Sequence, residues 1–412
     1  MRTRRVFIAI VTVILTGAVF VAITQATEVN GSRPTSIMTL SNVRDYATAP
    51  DVGGVNYAVA GGLLFAGRPP AWTQVDIPPG VIVGAVALDG RNPDTVYIGA
   101  ANELAIYRSI NAGQAWLRVP LSHEFIGGVT DIAMDSFQRL VYVGTDTAGV
   151  FRLRDVGSGL ILTSQLLLEE PVLEVVADST GACIAYARTA WNLYRAENYG
   201  LRWTVVDNLL SPPTALVIAN TWPPTLYVGT VDRGLLKSHD GLTWTMANDG
   251  LGLVPGSRLY VDALAVDAAQ PDVLYVATSY LLGSTQVHHT PAGVAMSTNG
   301  AQAWTKFGTD IEGVVTELLP VTGESGAVYA LTNLSRTPFA LGNATVTTAN
   351  VAAASETVVN EDMTQSKTSR LAWIVAGLAA LALIFAIVVD LRKRRPVLTD
   401  VDLSPESLRS SH

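Results

Sequence analysis

The chain has 412 residues, a formal net charge of −8 and one cysteine, and 49% of its residues are hydrophobic while only 15% are charged. This length is enough for one large domain or two modest ones. The acidic balance disfavours binding to nucleic acid and adhesion to anionic lipid. A single cysteine excludes an intrachain disulfide, so the fold has to be stabilised by packing alone.

The first element is an apolar run at residues 6–24, which follows Arg2, Arg4 and Arg5 and ends at the small residues of TQA. A basic flank, an apolar middle and a small-residue end are typical of a secretory signal. The run is also long enough to stay in a bilayer as an anchor. Residues 1–26 are therefore predicted to be a signal peptide cleaved after Ala26 or an uncleaved signal-anchor helix, and both alternatives stay open.

A repeated strand pattern follows, and its seven centres are Tyr57, Tyr97, Tyr142, Ile184, Tyr227, Tyr275 and Tyr329. Most centres have an apolar strand upstream and a short turn with Pro or Asp between the two strands, such as AQPD. A period of about 40 to 50 residues with several strands per unit predicts a β-propeller. We therefore predict an all-β, seven-bladed β-propeller over residues 36–342. The segment SIMTLSNV at residues 36–43 is a candidate strand to close the ring by pairing with the last blade.

Four of the predicted units carry a further hairpin that ends in tryptophan: SINAGQAW, AENYGLRW, SHDGLTW and STNGAQAW. Asn or Asp accepts hydrogen bonds from the amides of its own turn, glycine tolerates a positive φ, and the indole covers apolar surface between blades. A single active site does not need the same residues on four blades, so we predict a structural role for all of them. These residues are Ser109, Asn111, Gly113, Trp116, Asn198, Gly200, Trp203, Ser238, Asp240, Gly241, Trp244, Ser297, Asn299 and Trp304.

These hairpins closely resemble the Asp-box, or bacterial neuraminidase repeat, of sialidases and sortilin-like β-propellers, whose pattern is Ser-x-Asp-x-Gly-x-x-Trp. Asp240 occupies the acidic position, and asparagine replaces it in the other three hairpins. In size the chain looks most like the propellers that are similar to photosystem II assembly factors. That resemblance implies a non-enzymatic scaffold that holds membrane proteins. Sortilin-like receptors share the predicted topology but have ten blades and a cysteine-rich module, which this chain lacks.

The resemblance to sialidases implies a different function, with an arginine triad, a tyrosine–glutamate pair and an acid/base aspartate near the propeller axis. It also implies a Phe/Tyr-Arg-Ile-Pro motif before the first box, where this chain has only Arg68 and Pro69 in FAGRPPAW. We interpret Asp131 and Asp267, on the inner strands, as turn caps. No catalytic residue is assigned. A sialidase-like surface glycosidase and a non-catalytic glycan-binding propeller are the alternatives to a protein-binding scaffold.

Two features are candidates for partner binding. Four blades carry a basic residue at the same strand position. These residues form either a cationic arc that binds an acidic partner or a set of long side chains that cover apolar surface. The insertion SYLLGSTQVHHTPAGVAM is either an exposed recognition loop or an insertion without a role. Its adjacent histidines point to opposite faces of a strand, so we predict no shared metal and no other cofactor. The candidates are Arg108, Arg152, Arg195, Lys237, His288 and His289.

The last elements connect the propeller to a membrane. Residues 343–370 are rich in Ala, Thr, Val and Ser and predict a stalk. Residues 371–391 are apolar and precede RKRR, which predicts a transmembrane helix and a cytoplasmic tail at residues 392–412. Residues 28–370 then lie outside the cytoplasm, with 31 acidic and 19 basic residues. The sequence predicts a single-pass protein of the cell membrane, or a two-pass one if the signal is uncleaved, that binds a protein partner as a scaffold or assembly factor.

Overall fold

The computed structural model describes residues 40–69, 71–283, 286–308 and 311–343. The predicted signal, the stalk beyond Asn343, the predicted membrane span and the tail lie outside these residues. Within the described ranges all regular structure is β-strand. No helix in this part of the chain has the length and apolar character to cross a bilayer.

The described strands form seven antiparallel sheets, and in each sheet the strands neighbour one another in chain order. Blade 1 contains β1 (Val43–Ala47), β2 (Asn56–Ala60), β3 (Leu63–Arg68) and β4 (Ala71–Val75). Blade 2 contains β5 (Val83–Asp89), β6 (Asn92–Ala100), β7 (Ala105–Ser109) and β8 (Leu117–Pro120). Blade 3 contains β9 (Val129–Asp135), β10 (Leu140–Thr145), β11 (Val150–Asp155) and β12 (Leu160–Leu166).

The other four sheets follow the same plan. Blade 4 contains β13 (Glu174–Ala177), β14 (Ala185–Arg188), β15 (Leu193–Glu197) and β16 (Arg202–Val205). Blade 5 contains β17 (Pro213–Ala219), β18 (Thr225–Thr230), β19 (Leu235–Ser238) and β20 (Thr245–Met246). Blade 6 contains β21 (Ser257–Val266), β22 (Leu274–Leu282), β23 (His288–Ser297) and β24 (Thr305–Gly308). Blade 7 contains β25 (Val315–Pro320), β26 (Ala327–Thr332) and β27 (Phe339–Gly342).

The first strand of each blade contacts the first strand of the next from blade 1 to blade 7, and this ring makes the described part a seven-bladed β-propeller. The apolar core lies between neighbouring blades. Tyr97 and Phe151 belong to one cluster that joins blades 2 and 3, and Tyr227 and Trp304 belong to another that joins blades 5 and 6. Strands that are buried on both faces explain the nearly continuous apolar runs of the sequence.

The repeat centre of blade 4 is Tyr186, not Ile184. Tyr186 is buried on β14 and pairs with Arg195, just as Tyr142 pairs with Arg152 in blade 3. Ile184 lies one residue before β14 begins. The turn between β13 and β14 is long and irregular, with positive φ at Cys183, and this displaces the apparent centre of the repeat.

The predicted closing strand SIMTLSNV lies partly outside the described residues, which begin at Leu40 within it. Val43 begins β1, which pairs with β2 inside blade 1. The hydrogen bonds between blade 7 and blade 1 include those from the Val43 amide to the Arg336 carbonyl at 3.2 Å, from Arg336 Nε to the Val43 carbonyl at 2.7 Å and from Thr322 Oγ1 to the Ala49 carbonyl at 3.0 Å. Leu331 of blade 7 also packs into the apolar cluster of blade 1. Side-chain packing and these hydrogen bonds therefore join the first and last blades.

Candidate functional site

The tryptophan hairpins form turns with a shared hydrogen-bond pattern. In blade 2, Ser109 Oγ accepts the Gly113 amide at 2.8 Å and Asn111 Oδ1 accepts the Ala115 amide at 2.9 Å. In blade 5, Ser238 Oγ accepts the Gly241 amide at 2.8 Å. The same pattern recurs at Asp240, Ser297 and Asn299. The hairpin of blade 4 differs, because it has Ala196 in place of the serine and forms its turn from backbone hydrogen bonds. The polar side chains therefore replace missing backbone partners in these turns.

The indoles contact the preceding blade. Trp116 Nε1 donates to the Asp76 carbonyl at 2.9 Å, Trp304 Nε1 donates to the Ala247 carbonyl at 2.8 Å, and Trp203 packs edge-on against Tyr142 of blade 3 at 6.0 Å. Trp244 Nε1 donates to Asn208 Oδ1 at 3.2 Å. These contacts join neighbouring blades.

The four basic candidates lie between blades. Each is the cross-strand partner of the repeat-centre tyrosine of its own blade, so the four side chains lie on equivalent faces of their blades. Arg108 and Arg152 are each 7% exposed. Arg108 binds Asp155 of blade 3 through Nε at 2.7 Å and Nη2 at 3.0 Å, and Lys237 Nζ donates to the Gly300 carbonyl of blade 6 at 3.4 Å. Their position favours packing between blades over docking of a partner.

The insertion of blade 6 is an extended hairpin, not a loop. Strands β22 and β23 stay paired from Leu274 and Ser297 to Leu282 and His288, beyond the point where the other blades turn. His289 Nε2 lies 3.0 Å from Asp262 Oδ1, and Ser279 Oγ donates to Asp262 Oδ2 at 2.5 Å. Alternation of polar and apolar residues along β21 continues through this extension, which explains why it pairs as a strand.

A polar axial cavity has a volume of about 700 Å³ and is lined by the first strands of blades 1, 3, 4, 5, 6 and 7. Five carboxylates line it: Asp45, Asp131, Glu174, Asp262 and Glu317. Asp45, Asp131, Glu174 and Glu317 occupy the same register on the first strands of blades 1, 3, 4 and 7, where each follows a bulge or begins its strand. Among the five, Asp262 of blade 6 is the bulged residue itself. Alanine occupies that register in blades 2, 5 and 6 (Ala85, Ala215 and Ala263).

Three of the carboxylates tie neighbouring blades together. Asp45 Oδ2 accepts the Val86 amide of blade 2 at 2.7 Å, and Asp131 Oδ2 accepts the Val175 amide of blade 4 at 2.7 Å. Glu174 Oε2 accepts the Leu216 amide of blade 5 at 3.2 Å. Asp131 is therefore not the turn cap that the sequence indicates, whereas Asp267 does accept the amides of its own turn from Ala269 and Gln270.

The environment of the cavity favours protonated carboxylates. Burial raises the pKa of Asp45 to about 6 and that of Glu317 to about 8, and neighbouring carboxylates contribute to both shifts. Burial and the charge of Asp45 raise the pKa of Asp131 well above its ordinary value. Burial also raises the pKa of Asp262 to about 6, against the hydrogen bond from Ser279. Like charges close together in a partly desolvated site cannot all ionise easily.

Three arginines line the same cavity, and two of them already have partners within the protein. Arg188 Nε binds Glu174 Oε2 at 2.7 Å, and Arg336 Nε donates to the Val43 carbonyl. Arg44, at the bulge of β1, is exposed. The cavity therefore has an excess of carboxylates over arginines, with Asp45, Asp131, Asp262 and Glu317 lacking a salt bridge to arginine among the described residues.

Sequence reasoning did not identify this set. The available signal was an acidic residue at one register of an otherwise apolar inner strand, as in VRDYA, VTDIA and VTELL. Strand β1 was not recognised as the inner strand of blade 1, so Asp45 had no place in the repeat. The convergence of four blades on one axis follows only from the closed ring.

Comparison with known proteins gives the fold alone. No protein family and no curated protein matches the sequence. The GH74 xyloglucanase of Xanthomonas campestris has 17% identity and a TM-score of 0.56 over 75% of this chain, and the GH74 enzyme of Niastella koreensis has 17% identity and a TM-score of 0.54 over 74%. This chain spans 53% and 43% of those two proteins. YCF48, solved bound to a D1 peptide, has 14% identity and a TM-score of 0.52, with 75% of this chain and 95% of YCF48 covered.

These neighbours decide one point. Their likeness shows the fold of this chain, a β-propeller, and nothing beyond the fold. The described part of this propeller has no group of three or more His, Cys, Asp and Glu side chains placed to hold a metal ion. Its most distinctive chemical feature is the acidic axial cavity.

Proposed function

We propose that this propeller is a protein-binding scaffold, tethered outside the cytoplasm at a membrane, which takes a cationic segment of its partner at the mouth of the axial cavity. The observation that carries the proposal is the set of five cavity carboxylates, four of which have no salt bridge to arginine among the described residues. A cationic side chain would offset the repulsion among these groups and supply the partners that the protein itself lacks. The membrane location rests on the sequence patterns at residues 6–24 and 371–391.

The charge of the surrounding surface supports the same partner. Because the strands of each blade alternate in direction, the connections between blades and the turns between second and third strands lie at the end where the inner strands begin. We call this end the mouth face. Its described connections contain two basic residues, Arg233 and Arg336, and ten acidic residues: Asp76, Glu103, Glu124, Asp146, Glu169, Glu170, Asp207, Asp232, Asp249 and Glu312. Such a field speeds the approach of a basic segment and selects against acidic ones.

Exposed apolar side chains stand among these acids and provide the second requirement of a protein interface. Ile126 is 95% exposed, Leu210 74%, Trp191 71% and Leu253 68%, and all four lie in mouth-face connections. Interfaces gain most of their affinity from a few buried aromatic and apolar anchors surrounded by polar contacts. YCF48, a propeller covered over nearly its whole length by this chain, was itself solved with a peptide bound.

Crosslinking and affinity purification of the full-length protein from its native membrane, followed by mass spectrometry, tests the proposal. The mouth-face variant carries Glu124→Lys, Glu169→Lys and Asp249→Lys, three exposed residues whose side chains form no hydrogen bond or ion pair within the described part of the chain. The matched control carries Asp51→Lys, Asp272→Lys and Glu324→Lys in exposed turns at the opposite end. We expect a protein that is recovered with the wild type and the control and is lost with the mouth-face variant. Equal recovery with all three proteins refutes the mouth as the docking site, and recovery of the bait alone refutes the scaffold.

One observation favours a second candidate, a glycosidase. Glycoside hydrolysis uses a carboxylic acid that stays protonated near neutral pH beside a carboxylate that is ionised. Glu317, with a pKa of about 8, has the first property and shares the cavity with Glu174, which is paired to Arg188. Release of reducing sugar from xyloglucan and of the fluorophore from a sialic-acid glycoside checks this candidate. Activity that Glu317→Gln abolishes supports it, and absence of turnover on a panel of plant, bacterial and animal glycans excludes it.

A further inference from the structure

Two of the cavity carboxylates differ from the other three in how they are held. Asp45, Asp131 and Glu174 each accept an amide of the next blade. The equivalent amide for Glu317 would be that of Tyr46 in blade 1, but this amide donates to Asp45 Oδ1 at 2.8 Å. Glu317 is therefore left with charged neighbours and no amide of the next blade.

Asp262 is the second carboxylate of this kind. Its side chain is only 3% exposed and lines the axial cavity. Ser279 satisfies Oδ2, while Oδ1 lies 3.0 Å from His289 Nε2 in a contact whose geometry makes no hydrogen bond. A buried carboxylate oxygen without a hydrogen bond is costly when ionised, and entry of a cation would remove that cost.

Glu317 on β25 faces Asp45 on β1, Asp131 on β9, Glu174 on β13 and the cation of Arg336 after β26. Asp262 on β21 faces Ser279 on β22 and His289 on β23, with the Tyr260 ring 5.0 Å from the imidazole. Three acids and one base around Glu317 make the loss of its proton unfavourable until positive charge is added.

We propose that binding at the mouth is coupled to protons: a cationic segment that enters the cavity displaces the proton of Glu317, and to a smaller extent that of Asp262, into the solvent. This inference rests on the proposed function, since the cation is that of the partner. Each O–H bond breaks heterolytically, the electron pair stays on the carboxylate oxygen, and the proton passes to buffer. Affinity for the cation then rises as pH rises, because fewer protons remain to be displaced.

The pH range of the coupling follows from the two groups. Glu317, with a pKa of about 8, holds its proton through neutral pH, and Asp262, with a pKa of about 6, loses its proton at lower pH. One displaced proton gives up to about a tenfold change of affinity per pH unit below the pKa of the group. Glu317 therefore contributes to the coupling throughout pH 6 to 8, beside Asp45 and Asp131, whose pKa values burial also raises, and the contribution of Glu317 disappears above about pH 9.

The first experiment needs no ligand. The full-length protein in detergent is unfolded thermally at pH 6, 7 and 8. The folded pKa of Glu317 lies above its unfolded value, so the folded protein binds the extra proton, and Tm falls as pH rises through this window. We expect Glu317→Gln to remove part of that fall and the control Glu312→Gln, an exposed glutamate of the same face, to leave it unchanged. Identical slopes for wild type and Glu317→Gln overturn the inference.

The second experiment uses acetyl-tetralysine amide as the probe, measured by calorimetry at pH 6, 7 and 8 in two buffers with different ionisation enthalpies. We expect release of up to about one proton per peptide near pH 7 and an affinity that rises several-fold per pH unit. Glu317→Gln should bind with a smaller pH dependence than the wild type, and the mouth-face variant should bind weakly at every pH. Binding without proton release overturns the inference and leaves the proposed function standing. No binding to the wild type between pH 6 and 9 overturns the cationic partner itself and the inference with it.

Discussion

Asp155 connects blades 2 and 3, and its replacement by asparagine should be strongly destabilising. Its side chain is 1% exposed and accepts Tyr97 Oη at 2.5 Å, Arg108 Nε at 2.7 Å and Arg139 Nη2 at 3.0 Å. The Gly157 amide donates to it at 2.7 Å. Asparagine leaves the Arg108 guanidinium, 6% exposed, without its counter-charge. Removal of one partner of a buried ion pair costs about 3 to 5 kcal/mol, so we expect a loss of this size in the free energy of unfolding.

Urea unfolding of the full-length protein in detergent, followed by tryptophan fluorescence, measures this loss. The matched control is Glu103→Gln, which breaks the exposed pair of Glu103 with Arg118 and should cost less than about 1 kcal/mol. A double variant, Arg108→Met with Asp155→Leu, should recover part of the loss, because it removes the unpaired charge of Arg108 while the Tyr97 hydroxyl and the Gly157 amide still lack their acceptor. A loss below about 1 kcal/mol for Asp155→Asn would refute the assignment of Arg108 to packing between blades.

The same replacement has a pH signature. Burial opposes ionisation of Asp155, but the hydrogen bonds from Tyr97, Gly157 and Arg108 together lower its pKa below the ordinary value of 3.8. A folded pKa below the unfolded one gives stability that is present above pH 3.8 and is lost as pH falls below it. The difference in stability between wild type and Asp155→Asn should therefore shrink between pH 4 and pH 2. A difference that stays constant over this range contradicts the charge-based explanation.

Three further replacements test the hairpins and the blade contacts. Trp304→Ala, at a site 4% exposed, should lower the free energy of unfolding by about 3 to 5 kcal/mol. The control Trp222→Ala, at a site 79% exposed, should change it by less than about 0.5 kcal/mol. Similar losses for both would contradict the role of the indole between blades. Gly241→Ala should destabilise by more than about 1 kcal/mol, because φ is +70° and the new Cβ would lie 2.0 Å from Tyr186 Oη, and an unchanged Tm would show that the turn can move away. Asp240→Ala should lower the free energy of unfolding by about 1 kcal/mol, because two turn amides lose their acceptor. Asp240→Asn should keep most of the stability, because asparagine accepts these bonds in the other hairpins. Equal losses for the two variants would show that the charge matters and not the acceptor.

The sequence by itself determined the all-β class and the seven units, because both are written in local patterns. Each blade repeats an apolar strand, a tight turn and a tyrosine-centred strand, and such patterns do not depend on distant residues. The hairpin residues were also accessible, since Ser109 and Asn111 bond within their own turn. The insertion of blade 6 was recognised as an insertion but not as a hairpin, because its pairing with β21 and β22 depends on register.

The tertiary structure alone decided where the basic residues and the carboxylates point. From the sequence alone Arg108 is interpreted as a strand residue at the surface, because its partner Asp155 of blade 3 lies 47 positions later in the chain. Asp45, Asp131, Glu174 and Glu317 come from four blades and meet only because the ring closes around its axis. Their pKa values follow from mutual repulsion and burial, and both are properties of distances across the cavity. Local sequence can specify strands and turns, but the charge of a shared cavity is fixed only when the blades are assembled.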